Sequence, residues 1–191
     1  RSAVARLAAH CPVAVISGRD LADVRARVGL ERVIYVGSHG FDIAGPDGLE
    51  ERPDEAEGLL RPIEEADADL RAALSGIAGA DVERKTFSVA VHYRRAAEPD
   101  VAKIEDAVDR IVGRHEKLRK GRGKKVFEIQ PRADWDKGRA VTWLLAHGHL
   151  GEGDALPVDL GDDLTDEDAF AALGHDGLCI SVRGGGRATL A

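Results

Sequence analysis

At 191 residues, with 43% hydrophobic and 32% charged residues, the chain is long enough for one good core plus an inserted subdomain and is too apolar to be disordered. A formal net charge of −7 argues against a general nucleic-acid binder, which carries a basic footprint, and leaves open a small anionic ligand held by local basic groups. No apolar run approaches a membrane span and no signal peptide opens the chain. Cys11 and Cys179 both border apolar runs and read as buried small hydrophobes of a reducing, cytoplasmic compartment.

The chain opens on the end of an amphipathic helix, 2–10. A short apolar strand is expected at 12–16, a helix at 20–28 with Leu21, Val24 and Val28 on one face, and a second strand at 33–36. Strand, helix and strand with short links read as a right-handed parallel crossover. After Ser38, His39 and Gly40 the character changes. A turn cluster at 45–48 leads to an acidic helical pattern over 54–74, interrupted by Pro62. A strand at 86–93, an amphipathic helix at 99–120 and a strand at 125–130 follow, with their own apolar periodicity. The first style then returns: a helix at 137–147, a strand at 156–160, a helix at 166–173 and a strand at 178–182, before a Gly-rich turn at 184–186. The expected fold is α/β, a parallel-sheet core of 1–43 and 134–191 with a second α/β domain of 44–133 inserted into it. No methionine occurs, position 1 included, so the chain is expected to be part of a longer protein.

The stretch GDDLTDEDAF, from Gly161 to Phe170, sets five acidic residues within seven positions directly after an apolar strand. Carboxylates at the C-terminal end of a strand lie where open α/β sheets bind ligands, and charges this dense call for a divalent cation such as Mg²⁺. The same residues also suit a solvated first helical turn. Ser17, Gly18 and Arg19 follow the first strand, with Asp20 placed to cap the next helix; a hydroxyl and backbone N–H groups there make a phosphate cradle, or simply a strand end. Lys137 opens a helix, where a cation opposes the dipole, and such a locally unfavourable choice points to function unless it is a plain surface lysine. An EF-hand fails at Leu164, the Gly123-Lys124 pair is followed by Lys125 instead of Ser or Thr, and neither HExxH nor GxSxG occurs around the histidines or Ser17.

In this order, Ser-Gly-Arg at 17–19, Lys-Gly-Arg-Ala at 137–140 and GDDLTDEDAF resemble the later motifs of the haloacid dehalogenase superfamily, and within it the trehalose-6-phosphate phosphatase family most closely. VISGRDLADVRARVG, YVGSHGFDI, SVAVHYR and FEIQPRADWDKGRA extend the resemblance along nearly the whole chain. It implies a haloacid-dehalogenase-like core with a cap domain and an Mg²⁺-dependent phosphatase acting on a small sugar phosphate, trehalose 6-phosphate, with neither nucleic acid nor membrane as partner. It further implies that Ser17 binds phosphoryl oxygens and Lys137 neutralises the phosphate. By the same resemblance Asp162 would bind Mg²⁺, supported by Asp163 and Asp166. The resemblance also implies that Gly18, Arg19, Ser38, His39 and Gly40 lie at the mouth and that Lys85, His92, Arg94 and Glu128 of the cap meet the sugar hydroxyls. The family's first motif, DxDGT, which supplies the attacking aspartate, is absent from these 191 residues. A chain without it is expected to be inactive by itself. The alternatives are a non-catalytic sugar-phosphate-binding or regulatory domain, or a phosphatase for sucrose or mannosylglycerate phosphate.

Overall fold

Short apolar runs alternating with helical periodicity give an α/β chain whose two kinds of sequence form separate units, Arg1–Pro53 with Trp135–Ala191, and Asp54–Asp134. The computed structural model describes residues 1–56, 58–151, 155–163, 165–182 and 189–190; Leu164 and the expected turn at 184–186 lie outside them.

Helix α1 (Ser2–Leu7) precedes β1 (Ala14–Ile16), α2 (Leu21–Val28) and β2 (Ile34–Gly37). Strands β1 and β2 pair in parallel, Ala14 with Ile34 and Ile16 with Val36, the crossover that the strand, helix and strand pattern predicts. Two strands too short to leave a periodic signal then extend the sheet, β3 (Asp42–Ala44) antiparallel to β2 and β4 (Glu50–Glu51) antiparallel to β3. Because of this pairing residues up to Pro53 belong with the first unit, and the second begins later than the exit near 44 that composition marks.

In the second unit α3 (Leu60–Leu74) is followed by β5 (Asp81–Arg84), β6 (Val89–His92), α4 (Glu98–Val112), β7 (Leu118–Gly123) and β8 (Val126–Pro131), with sheet order β5-β6-β8-β7, antiparallel throughout. Pro62 does not interrupt the helix, since it sits in the first turn where its missing N–H would have no intrahelical partner. The helix expected over 99–120 ends at Val112, and 118–123 is a strand instead. Period two was hidden there because Lys120 and Arg122 stand where apolar residues would. They lay their cationic ends over Phe127, each 5.4 Å from the ring centroid, and pair with Glu105 of α4. Both helices cover one face of the sheet: Ile63, Leu70, Ile104 and Ile111 close on Val89, Val91, Phe127 and Ile129.

The chain re-enters the first unit with α5 (Lys137–Ala146), β9 (Val158–Gly161), α6 (Asp166–Leu173) and β10 (Leu178–Ser181). Strands β9 and β10 pair in parallel. Ile34, Val36 and Ile43 pack on Ala140 and Leu144 of α5, while Val33 and Tyr35 pack on Val24 and Ala8. Strand β2 is thus buried on both faces, as parallel strands in α/β folds are. Val141 of α5 meets Ala169 and Leu173 of α6 with Cys179 behind them, and the other face of the β9–β10 pair exposes Val158, Leu160, Leu178 and Ile180. The cysteines differ from expectation: Cys11 is exposed beyond the end of α1, and only Cys179 is part-buried. Among the described residues no helix is long and apolar enough to cross a membrane.

Candidate active site

Three loops of the first unit follow strand ends and are joined by a run of contacts. Ser17 follows β1, its N–H bonded to Val36 O at 2.9 Å. The Arg19 N–H donates to Ser17 Oγ at 3.2 Å, which leaves the hydroxyl proton to donate elsewhere. The loop after β2 zips onto this turn: Ser38 N–H donates to Arg19 O at 2.7 Å and His39 N–H to Ser17 O at 3.0 Å. Asp20 occupies the N-cap position of α2 without a capping side-chain hydrogen bond, and its carboxylate instead accepts from Ser38 Oγ at 3.2 Å.

Ser38 and His39 hold positive φ of 52° and 59°, a conformation that costs a non-glycine residue energy and persists only where surroundings over-determine it. Gly40 continues at φ 114°, and a Cβ there would lie 2.8 Å from Trp135 Nε1 and from Asp136 O. Its lack of a side chain is what lets the loop meet the start of α5. The His39 ring covers Gly18 so closely that a Cβ on Gly18 would collide with it. Arg19 projects outward and pairs with Asp23 at 3.0 Å.

At the start of α5, Asp136 Oδ1 caps the helix by accepting from Arg139 N–H at 2.9 Å. Lys137 is 6% exposed, and its ammonium donates to Asp166 Oδ1 at 2.6 Å. The other carboxylate oxygen, Oδ2, accepts from the N–H groups of Asp162 and Asp163, both at 2.8 Å. The oddly placed lysine and the acidic run therefore explain each other: the cation sits against the dipole because Asp166 neutralises it, and Asp166 bends the Asp162–Asp163 loop around itself. Burial raises the Asp166 carboxyl, and hydrogen bonds from Lys137 and the backbone of Asp163 and Asp162 outweigh it, leaving the group below its ordinary value. Gly161 makes the bend feasible, since a Cβ there would collide with the Asp166 side chain. Gly161→Ala should displace Asp166 and cost about 2 kcal/mol, checked as a lowered urea midpoint; wild-type stability would show the loop yields without cost.

One group escapes the motif reading. Asp159, inside β9, has its carboxyl raised by burial first and then by the neighbouring Asp166 charge, partly offset by the Leu160 N–H and Lys137. Its signal was present as an acidic residue in the apolar run Leu156 to Leu160. The Trp135 indole N–H beside Gly40 was also missed, and it is buried with no hydrogen-bond acceptor among the described residues.

Ser17, Gly18, Arg19, Ser38, His39, Gly40, Lys137, Asp162, Asp163 and Asp166 are all in the first unit, while Lys85, His92, Arg94 and Glu128 are in the second. There, Lys85 follows β5 with its N–H on Ser88 O at 2.9 Å. His92 Nε2 lies 2.8 Å from Glu83 Oε2, Arg94 donates to Lys124 O at 3.4 Å, and Glu128 Oε2 accepts from Gln130 at 3.0 Å. Glu128 pairs with Ala90, two residues from His92 on β6, so Glu128 and His92 share one face of the sheet.

Asp162 and Asp163 offer hard oxygen donors that suit a hard cation, and the Thr165 hydroxyl next to the loop is buried without a partner among the described residues. No group of three or more metal-ligating side chains occurs among those residues. A cation here would take most of its shell from water and from ligand oxygens, as Mg²⁺ does.

A sequence model of the family described as Trehalose-phosphatase matches residues 1–184. The trehalose-phosphate phosphatase of Mycobacterium tuberculosis (strain H37Rv) is 47% identical over 193 residues, covering 99% of this chain and 49% of that protein, so the chain spans about half the length of this relative. A solved structure of a trehalose-6-phosphate phosphatase related protein shares the fold at TM-score 0.80 and 22% identity, covering 98% of this chain and 77% of that one. The C-terminal domain of the C. albicans trehalose-6-phosphate phosphatase does so at TM-score 0.71 and 24% identity, over 94% and 71% of the two chains. With the motif residues joined at the strand ends and the match running over nearly its whole length, the chain belongs to the trehalose-phosphatase family.

Proposed function

We propose that the protein carrying this chain hydrolyses trehalose 6-phosphate to trehalose and phosphate with Mg²⁺. The observation that carries this reading is the buried Lys137 ammonium, held at 2.6 Å by the same Asp166 carboxylate that gathers the Asp162 and Asp163 N–H groups. A fixed positive charge on the carboxylate that shapes the acidic loop after β9 supports this reading, because phosphoryl transfer pairs a cation with metal-holding acids. Ser17 donates its hydroxyl to a phosphoryl oxygen, and Lys137 offsets the charge on the phosphate. Asp162, with Asp163, holds the Mg²⁺, and Asp166 supports them by fixing their loop. The cation, when bound, neutralises charge on the phosphoryl oxygens.

Arg19, Ser38, His39 and Gly40, with Gly18 under the His39 ring, form the rim on the sugar side. In the second unit, Asp54–Asp134, Lys85, His92, Arg94 and Glu128 orient the sugar through its hydroxyls. The attacking aspartate of DxDGT is not among these residues, so the chain alone binds the sugar phosphate without turning it over. Both cysteines are free thiols, which fits a reducing, cytoplasmic setting.

Phosphate release from trehalose 6-phosphate by the whole protein tests the reading. Turnover that disappears with EDTA and falls about 10²–10³-fold in Asp162→Asn is expected. Full activity in EDTA, or preference for sucrose phosphate or mannosylglycerate phosphate in the same assay, overturns the metal or the substrate assignment respectively.

A further inference from the structure

On the sheet of the second unit, Phe127 and Ile129 of β8 point into the core under α3 and α4, so Glu128 and Gln130 stand on the opposite face. In register with Glu128 are Ala90 on one side and Gly121 of β7 on the other. Gln130 Nε2 donates to Glu128 Oε2 at 3.0 Å. Since a carboxylate only accepts, this bond fixes the amide orientation and turns Gln130 Oε1 away from the carboxylate.

Gly121 is a glycine that the fold does not require. Its backbone is outside the positive-φ region, and a Cβ on it would meet nothing nearer than Glu128 O at 3.6 Å, with Gln130 Oε1 at 3.8 Å and Glu128 Cβ at 3.9 Å. Gly123 of the same strand contrasts with it, since a Cβ there would press within 2.7 Å of Val126 Cγ1. A glycine inside a strand weakens it, and where neither turn nor packing calls for one it marks close approach of a ligand or another backbone. Backbone approach is not the reason here, since none of the described residues crowds the position.

We propose that Gln130 is a positioning residue that sets the Glu128 carboxylate for adjacent hydroxyls of a sugar ring, and that the bare backbone at Gly121 is the space into which that ring fits. The inference rests on the sugar-phosphate reading above and adds two residues to it. Each hydroxyl of a pyranose both donates and accepts. Beside Gly121 the chain presents an amide oxygen and a carboxylate to receive protons, and the second amide N–H to give one.

The test uses Gly121→Leu, which adds a strand-compatible side chain to the space without backbone strain, and Gln130→Met, which keeps length and removes the hydrogen bond. In the whole protein, each should raise KM for trehalose 6-phosphate about tenfold with kcat changed by no more than about threefold. Gln130→Glu, which sets two carboxylates side by side, should raise KM at least as much, and Gly121→Ala, which puts a single methyl into the same space, should raise KM by less than Gly121→Leu does. In parallel, saturation-transfer NMR of this chain with trehalose should show contact that Gly121→Leu abolishes while its thermal unfolding matches wild type. Unchanged KM in Gly121→Leu and Gln130→Met overturns the inference while trehalose 6-phosphate turnover by wild type still upholds the broader reading. If wild type ignores trehalose 6-phosphate, the broader reading fails, and trehalose contact indifferent to Gly121→Leu, or no contact at all, overturns the inference independently.

Discussion

Lys137→Ala should destabilise the first unit by about 3 kcal/mol, because it leaves the Asp166 carboxylate in a place built for an ion pair. The two side chains are only 7% and 15% exposed and meet at 2.6 Å, so solvent does little to screen or replace the lost partner. Both tryptophans, Trp135 and Trp143, belong to the first unit, so a urea titration followed by tryptophan fluorescence reports this unit directly. The double substitution Lys137→Met with Asp166→Leu separates the causes. Removing both charges should recover much of the loss, since replacing a buried pair by apolar residues is often neutral. If the double variant is as unstable as the single one, the relief of the unpaired charge is cancelled by loss of the Asp166 bonds to the Asp162 and Asp163 N–H groups, which the single variant keeps. An unchanged midpoint in Lys137→Ala would show that the pair adds nothing to stability.

The second large effect is Phe127→Ala, expected to cost about 4 kcal/mol. Phe127 is fully buried, stacks on Tyr93 with ring centroids 4.6 Å apart, and carries the cationic ends of Lys120 and Arg122 over its ring. Its loss opens a cavity between the sheet and the two helices and also removes the surface on which two long side chains lie. Amide exchange of β6 and β8 should accelerate strongly, and Phe127→Leu should lose less than half as much. Equal exchange in wild type and Phe127→Ala would contradict the packing described for this core.

The elements of the candidate site were legible because they depend on local order. Ser17, Lys137 and the run from Asp162 to Asp166 each stand just past a strand or at a helix start, positions that apolar periodicity locates well. Lys137 was recognisable as anomalous from the helix dipole alone. Its partner was not, because Lys137 and Asp166 are 29 residues apart and only the packing of α5 against α6 brings them to 2.6 Å. Likewise Asp20 reads as a helix cap, yet Ser38 takes its carboxylate, a contact between two strand-end loops that no spacing rule anticipates.

The sequence by itself determined the alternation of strands and helices, the change of style in the middle of the chain, and which residues would be gathered at strand ends, since these follow from side-chain period and chain direction. It did not reveal β5 or β7. In DVER and LRKGRG the residues on the core side are largely Arg and Lys, whose stems bury while the Lys120 and Arg122 charges reach Glu105 and the Arg84 guanidinium donates to the Lys85 and Thr86 carbonyls, and such strands look polar until a partner lies beneath them. Tertiary structure alone decided that Asp166 spends both carboxylate oxygens inside the protein, that Ser38 and His39 hold left-handed backbone conformations, and that Gly121 faces Glu128 and Gln130. Each of these depends on register or on a bond between distant segments, and neither is encoded in the period of any one segment.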